Sequence, residues 1–365
     1  MDTLRILGTR GLPAAHGGFE TFAQHLALYL VARGWRVIVY CQIDGRGPIT
    51  QDTWQGVQRI TIPVTLGGPA GSVEFDWIAT RHAAGHRDLC LTLGYNTAIF
   101  CALLRLRGVP NIINMDGIEW RRAKWGWLAK AWFWANDWAG CWLGNHLVAD
   151  HPEIAAHLRT RVRASKITTI PYGADPLAGL PDAPVRALGL LPGNYLTLIA
   201  RAEPENSILE VVTGFSAKPR GVVLAVLGQY DPANAYHCAV RAAASPEVVF
   251  LGAIYDQTVV QALRLHCLAY VHGHRVGGTN PSLVEALGAG NAVIAHDNKF
   301  NRWVCGIQTA FFADAAGFAA ALQGLLGDRA ALRGMQQSSR ARFAQGLTWD
   351  GVLQAYEALC LRARR

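Results

Sequence analysis

The run Tyr270-Val-His-Gly-His-Arg-Val-Gly-Gly-Thr-Asn-Pro-Ser-Leu-Val-Glu285 holds the residue types that phosphate and sugar recognition require, at a spacing a helix entrance can supply. Pro281 and Ser282 open a predicted helix carrying Leu283, Glu285 and Leu287, after a turn with no side chain at Gly277 or Gly278. Free backbone N–H groups at such a helix start suit a phosphate. Glu285, deeper in the helix, can accept hydrogen bonds from a sugar hydroxyl. A glycine-rich turn followed by a solvated glutamate fits the same residues equally well.

Three other stretches place polar groups beside glycine or past a strand. In Gly8-Thr-Arg-Gly-Leu-Pro-Ala-Ala-His-Gly-Gly18, a ligand can lie against the loop backbone and the helix start that follows. Glu20 can meet the sugar hydroxyls of that ligand, or be the plain first-turn acid that a helix dipole favours. The loop lacks GxGxxG, which argues against a nicotinamide site. Asp116, in Asp116-Gly-Ile-Glu-Trp-Arg-Arg-Ala-Lys124, lies just past a predicted strand, where open parallel sheets place their chemistry. It can orient or deprotonate an acceptor hydroxyl, or simply be a turn or helix-cap aspartate. In Arg201-Ala-Glu-Pro-Glu-Asn-Ser207, Arg201 can neutralise a phosphate or form a surface salt bridge. His82 and His86 have no ligand pattern around them and read as a solvated helix face, not a metal site.

The elements that must carry these groups alternate in type. Strands are predicted at Leu4–Leu7, Trp35–Tyr40, Gly56–Pro63, Leu89–Leu93, Pro110–Met115 and Ile167–Ile170, with helices at Phe19–Arg33, Phe75–Ala84 and Ala98–Leu106. The pattern repeats after a stretch rich in proline, glycine and alanine. Strands at Tyr195–Ala200, Val222–Leu227, Val248–Leu251, Cys267–Val271 and Val293–Ala295 alternate with helices at His237–Ala243 and Asp256–Leu263. Helices at Phe318–Leu326, Ala330–Gln345 and Trp349–Leu361 close the chain. This predicts an α/β protein of two doubly wound domains with parallel sheets facing across a cleft. The expected boundaries are residues 1–175, a linker at 176–192, a second domain at 193–347, and a last helix within 348–365 packing back on the first domain.

Composition narrows the partners. The 365 residues exceed one ordinary core, and half of them are hydrophobic. A formal net charge of +8 favours an anionic partner: lipid, nucleic acid or a phosphorylated small molecule. The eight cysteines form no CxxC pair and read as reduced core residues of a cytosolic protein. No signal peptide is expected ahead of Leu4, and no apolar run reaches the ~20 residues that span a bilayer.

Seven of the twelve tryptophans fall between Trp120 and Trp142. On a helix, Trp125, Leu128 and Trp132 join Trp127, Trp134 and Trp138 in one broad apolar face, with Arg122, Lys130 and Asp137 on the narrower polar side. Residues 120–132 are expected to meet a membrane interface, and the Trp134–Trp142 end to be buried against the domain. No recognised nucleic-acid module accompanies the basic residues, so nucleic acid is not an expected partner.

Taken together, these stretches resemble retaining glycosyltransferases of family 4, in particular the subgroup with bacterial rhamnosyltransferases of cell-wall and capsular polysaccharide synthesis. The motifs that carry the resemblance are Gly8-Thr-Arg-Gly-Leu-Pro with Gly17-Gly-Phe-Glu20, Asp116-Gly-Ile-Glu-Trp with Lys124-Trp125, Arg201-Ala-Glu-Pro-Glu-Asn206, and His272 to Glu285. The resemblance implies the GT-B fold, a second domain holding a nucleoside diphosphate sugar, and a first domain holding the acceptor. It implies Glu285 on the ribose or deoxyribose hydroxyl, Arg201 on the phosphates, and Gly277, Gly278, Thr279, Asn280, Ser282 and Leu283 along the diphosphate and sugar. Arg10, Gly17, Gly18 and Glu20 would contribute from the first loop.

Two departures from the wider family stand out: Gly277 where a glutamate contacts the donor sugar, and Asn206 where a lysine pairs with the arginine. His272, His274 or Arg275 would then share in neutralising the diphosphate. Asp116, Arg201 and Glu285 are the implied catalytic set. Glu119, Trp120, Arg121, Arg122, Lys124, Trp125, Trp127 and Trp132 are the implied acceptor and membrane contacts. The implied reaction needs no metal or cofactor. It moves L-rhamnose from dTDP-L-rhamnose to a polyprenyl-pyrophosphate-linked saccharide, at the cytoplasmic face of an anionic inner membrane. Transfer from another dTDP-, UDP- or GDP-sugar, a nucleotide-sugar epimerase and a non-catalytic nucleotide-sugar scaffold are the alternatives.

Overall fold

The computed structural model describes residues 2–15 and 17–363. They form two compact units, Met1–Tyr172 with Trp349–Arg365, and Gly173–Thr348. In the first unit the chain runs β1 (Thr3–Leu7), α1 (Gly17–Ala32), β2 (Arg36–Asp44), β3 (Thr50–Trp54), β4 (Val57–Val64), α2 (Gly68–Ala83) and β5 (Leu89–Leu93). It continues with a 3-10 turn (Ala98–Phe100), α3 (Cys101–Leu106), β6 (Asn111–Asn114), α4 (Trp127–Leu143), β7 (His146–Ala149), α5 (Pro152–Arg159) and β8 (Ile167–Thr169). The sheet order is β3-β4-β2-β1-β5-β6-β7-β8.

Its strands are parallel apart from β3, which pairs antiparallel with β4 at the edge. The sequence reading has no strand at β3, because Thr-Gln-Asp-Thr-Trp is almost wholly exposed and shows no apolar alternation. Central strands are buried on both faces, as in Leu4 to Leu7, and α1 turns Phe22, Ala23, Leu26, Ala27 and Leu30 inward. His82 is only partly solvated: its Nδ1 lies 3.0 Å from the Tyr40 hydroxyl.

The second unit runs α6 (Ala183–Ala187), β9 (Tyr195–Ile199), α7 (Ile208–Ser216), β10 (Val223–Leu227), α8 (Ala235–Ala242), β11 (Val248–Gly252), α9 (Gln257–Leu265) and β12 (Ala269–His272). It ends with α10 (Pro281–Gly288), β13 (Ala292–His296), α11 (Lys299–Cys305), β14 (Ala310–Phe312), α12 (Ala315–Gly327) and α13 (Arg329–Ala344). Its sheet is parallel throughout, in the order β11-β10-β9-β12-β13-β14.

The expected linker at 176–192 is part of this unit. Val185 of α6 and Leu190 are buried in a cluster with Tyr195 and Leu263, so the small residues around them do not make a free tether. Seven of the eight cysteines are buried thiols, and Cys238 alone is exposed.

The chain returns to the first unit in α14 (Trp349–Ala363). Trp349, Val352, Leu353, Tyr356, Leu359 and Cys360 share one buried face. The Tyr356 ring sits 4.6 Å from that of Phe22, and Trp349 stacks on His25 at 4.4 Å. Glu357 accepts hydrogen bonds from the Arg33 Nε, the Tyr29 hydroxyl and the Trp35 indole, fixing the helix in register on α1. The Tyr356 hydroxyl accepts from the Asn114 side chain at 2.8 Å. We expect Tyr356→Phe to destabilise the first unit by about 1–3 kcal/mol, through a buried amide left unpaired. Tyr356→Ala adds a cavity and should cost about 3–5 kcal/mol. Urea midpoints test both, and equal midpoints for wild type and the alanine variant would refute the packing argument.

Candidate functional site

Each unit carries polar groups past the carboxyl ends of its central strands, where parallel sheets leave loops free for ligands. In the first unit the loop after β1 is held by α1. The Glu20 carboxylate accepts the Arg10 N–H at 3.2 Å, and Gln24 accepts the Ala14 N–H at 2.8 Å. Glu20 is thus neither a bare first-turn acid nor a group wholly free for a ligand. Gly17 and Gly18 begin α1, with Gly17 at a φ of +77°. The exposed Arg10 side chain makes no hydrogen bond or ion pair among the described residues.

Asp116 follows β6 in a left-handed turn, φ +50°, a conformation that aspartate and asparagine tolerate better than most residues. It is a turn aspartate and caps no helix. Its N–H donates to the Asn114 Oδ1 at 3.0 Å, and Asn114 is itself tied to Tyr356, so the closing helix sets the position of this acid. Burial, and then the nearby Glu119, push the Asp116 carboxyl up to about 6.

The tryptophan-rich stretch departs from the sequence reading. Helix α4 buries Asn136, Asp137, Gly140 and Cys141, a polar and small-residue stripe, and turns much of its aromatic surface outward. Asp137, expected on the exposed side, is 2% exposed. It accepts from the Trp120 indole at 2.8 Å and pairs with His157 at 3.0 Å and Arg161 at 2.6 Å. Three donors inside the fold outweigh the cost of burying one acid. Trp134 and Trp142, expected to be buried, are exposed, as are Trp127, Leu128 and Trp132.

Several of the expected acceptor and membrane groups are engaged internally. Trp120 is tied to Asp137, and Trp125 donates to Glu119 at 3.0 Å. Arg122 pairs with Glu119 at 2.7 Å, and the Trp132 indole donates to the Asn96 carbonyl. Arg121 and Lys124 are exposed over the rings of Trp120 and Trp125. Among the described residues, no helix is long and apolar enough to cross a membrane.

In the second unit the loops after the neighbouring strands β9 and β12 touch. A Cβ on Gly273 would lie 2.0 Å from the Asn206 carbonyl oxygen, so only glycine allows this approach. Asn206 is buried and donates to the Arg201 carbonyl at 2.9 Å, shaping the loop. The exposed Arg201 guanidinium has no partner among the described residues. Among the described residues, the N–H groups of Gly277, Gly278 and Asn280 make no hydrogen bond either.

The start of α10 is more self-contained than the sequence reading allows. The Asn280 side chain caps the Ser282 N–H, and the Asn280 carbonyl takes the Leu283 N–H. The Ser282 hydroxyl is bound to Tyr270 at 2.8 Å and to Arg264, while Leu283 and Thr279 are buried. Ser282 and Leu283 therefore offer no free side chain to a phosphate, and the open backbone donors are those of Gly277, Gly278 and Asn280.

Glu285 is half-buried and paired at 2.5 Å with Arg264, which is itself buried, so it is not a free surface glutamate. Arg264 is absent from the sequence reading. The signal is one arginine inside the apolar run Ala262-Leu263-Arg264-Leu265, which reads equally well as the polar edge of a helix. Arg275 pairs with Glu210 and Ser207, so its charge is spent within the protein. His272 is buried and its imidazole stacks on His274 at 4.4 Å; burial holds it neutral, with a pKa well below the usual histidine range. A neutral ring cannot supply charge to a diphosphate. Among the described residues, no group of His, Cys, Asp and Glu side chains is placed to hold a metal ion.

With this geometry in hand, comparisons fix the fold. Sucrose-phosphate synthase from Thermosynechococcus elongatus superposes with a TM-score of 0.79 at 19% identity, covering 99% of each chain. Anabaena HepE in complex with UDP gives 0.75 at 14% identity, covering 98% of this chain and 99% of that one. A UDP-forming trehalose-phosphate synthase from Burkholderia xenovorans, in complex with glucose-6-phosphate, gives 0.75 at 13%, covering 99% and 100%. The chain has the GT-B fold. Residues 1–175 also match a family described as a domain of unknown function, DUF1972. No curated protein matches.

The raised Asp116 pKa has a consequence for stability. The native state holds this proton to a higher pH than the unfolded chain, whose aspartate titrates near the ordinary 3.8. Between those values the native state binds more protons, so this contribution to stability is present at low pH and is lost as pH rises through about 6. Asp116→Asn keeps the left-handed turn and removes the titration. Its melting temperature relative to wild type should therefore rise between about pH 4 and about pH 7.5, and a pH-independent difference would contradict the burial argument.

Proposed function

We propose that the chain is a retaining glycosyltransferase that takes a nucleoside diphosphate sugar as donor. The observation that carries this reading is the arrangement after β9 and β12: an unpartnered Arg201, open N–H groups at Gly277 and Gly278, and Glu285 fixed by buried Arg264. Two negative phosphates need positive charge and N–H donors, and a ribose needs a rigid acceptor for its hydroxyls. The likeness to sugar transferases of the same fold supports it further.

In this reading Arg201 and the loop amides stabilise the departing diphosphate, taking the electrostatic role without a metal ion. Bond breaking runs ahead of attack. The acceptor hydroxyl enters on the face the leaving group vacates, and its proton passes to the leaving phosphate. Asp116 in the first unit orients that hydroxyl.

The resemblance to rhamnosyltransferases favours dTDP-L-rhamnose as donor and a lipid-pyrophosphate-linked saccharide as acceptor. A uridine donor is the second reading, favoured by the UDP and UDP-2-fluoro glucose complexes among the structural neighbours. The outward tryptophans of α4, Trp127 and Trp142 above all, together with the net charge of +8, support peripheral contact with an anionic membrane at its cytoplasmic face.

Mass spectrometry of reactions pairing dTDP-, UDP- and GDP-sugars with short-chain polyprenyl-pyrophosphate saccharides tests the reading. We expect a deoxyhexose-sized gain with the dTDP donor. Glu285→Gln, which still accepts from Arg264, should lower kcat/KM by about 10–100-fold through loss of a charged hydrogen bond. Donor turnover without acceptor would point instead to an epimerase. Donor binding with no product across the panel would point to a scaffold. Trp127→Ser with Leu128→Ser should reduce binding to anionic liposomes, and unchanged binding would remove the membrane assignment.

A further inference from the structure

A pocket of about 220 Å³, whose lining includes Arg10 and Glu20 of the first loop, opens in the first unit at the carboxyl ends of β1 and β5. Its chemistry comes from α2, a helix that carries none of the motifs read from the sequence. Ser72, Asp76 and Thr80 recur every fourth residue along α2, so they lie on one side of it and face the pocket. Asn96 and Thr97 enter from the loop after β5, and Phe19 and Phe75 add two aromatic rings. Gly94, at a φ of +84°, lets that loop turn beside Phe19: a Cβ there would come within 3.4 Å of the ring.

The polar groups in this pocket are under-used by the protein. Asp76 accepts one hydrogen bond, from the Thr97 hydroxyl to Oδ2 at 2.7 Å. No basic side chain pairs with it, and burial pushes its carboxyl up to about 6. Its Oδ1 and the side chains of Ser72 and Asn96 have no hydrogen-bond partner among the described residues. An acid kept in a partly buried pocket without a cation costs stability. Retaining it there makes sense if a ligand supplies the missing donors.

The ligand chemistry follows from size and charge. At a liquid-water share of ~30 Å³ per molecule, the volume holds on the order of seven waters, which is the scale of one sugar ring and well short of a nucleotide. Asp76 and Glu20 outnumber the one cation on the walls, Arg10, and so disfavour a phosphate, whereas hydroxyl donors satisfy Oδ1, and the half-buried ring of Phe19 suits the C–H face of a pyranose.

We propose that this pocket is the subsite for one uncharged pyranose of the acceptor, with Asp76 accepting a ring hydroxyl and Ser72 and Asn96 completing the hydrogen bonds. The proposal rests on the transferase reading and assigns its acceptor specificity to α2. It can be tested without turnover, by saturation-transfer NMR on the full chain with methyl glycosides of glucose, galactose, mannose, rhamnose and N-acetylglucosamine. At least one should bind wild type.

Asp76→Ala should weaken that binding tenfold or more. Asp76→Asn, which still accepts from Thr97, should weaken it about threefold to tenfold, in line with exchanging a charged for a neutral hydrogen bond. Ser72→Phe should block the pocket while leaving the rest of the fold in place. Calorimetry with UDP and dTDP serves as the control, since nucleotide affinity should be the same in all variants. Binding of no glycoside to wild type, or equal binding to Asp76→Ala and Ser72→Phe, would overturn the subsite. Glycoside binding by wild type with no binding of UDP or dTDP would instead count against the transferase reading, and the pocket would stand as a sugar site without an acceptor role.

Discussion

Parallel pairing is the constraint on which the rest depends. Parallel neighbours need a crossover, so the loop leaving each strand's carboxyl end is free to serve a ligand, and such loops gather along one edge. Each unit presses two of them together. Gly8, where a Cβ would sit 2.1 Å from the Leu93 carbonyl, joins the loops after β1 and β5. Gly273, with a Cβ 2.0 Å from the Asn206 carbonyl, does the same for β12 and β9. In both places the absence of a side chain allows a surface built from two loops.

The electrostatics of the two edges differ. The second unit offers an unpartnered guanidinium and open amides, which suit an anionic donor. The first also has a free guanidinium, Arg10, but adds Asp116 and Asp76, two partly buried carboxyls that burial pushes up to about 6, which suit hydroxyl groups. Charges that do not face a ligand are matched inside the fold, Arg5 with Asp88 and Asp137 with Arg161 and His157, while buried Arg264 braces Glu285. Removing one partner of such a pair strands the other, which is why conservative replacements at these positions are the informative ones.

The last helix links stability to the candidate site. Tyr356 belongs to the core of the first unit, yet its hydroxyl holds Asn114, and Asn114 holds the turn at Asp116. A residue far along the chain thus fixes the conformation of an acid past β6. No local pattern around Asp116 carries that information.

The sequence by itself determined the layered architecture. Short apolar runs such as Leu4–Leu7 and Tyr195–Ile199, separated by amphipathic helices, have few solutions other than parallel sheets under helices. It also singled out Arg201, the Gly277–Gly278 turn, Glu285 and Asp116 as candidates, because glycine and charge beside a strand end are local signals.

Other features were decided by tertiary structure. Strand β3 exists because β4 offers it an edge, and residues 176–192 are ordered because Val185 and Leu190 find a core. Helix α4 is inverted relative to its hydrophobicity because Trp120, His157 and Arg161, from outside that helix, satisfy Asp137. Asn280 and Ser282 cap and brace α10, and Asp76 lines a pocket with residues from three other parts of the chain. Periodicity reports which residues prefer to leave water. Which polar groups find partners once they have left it depends on segments distant in sequence, and that only the folded chain decides.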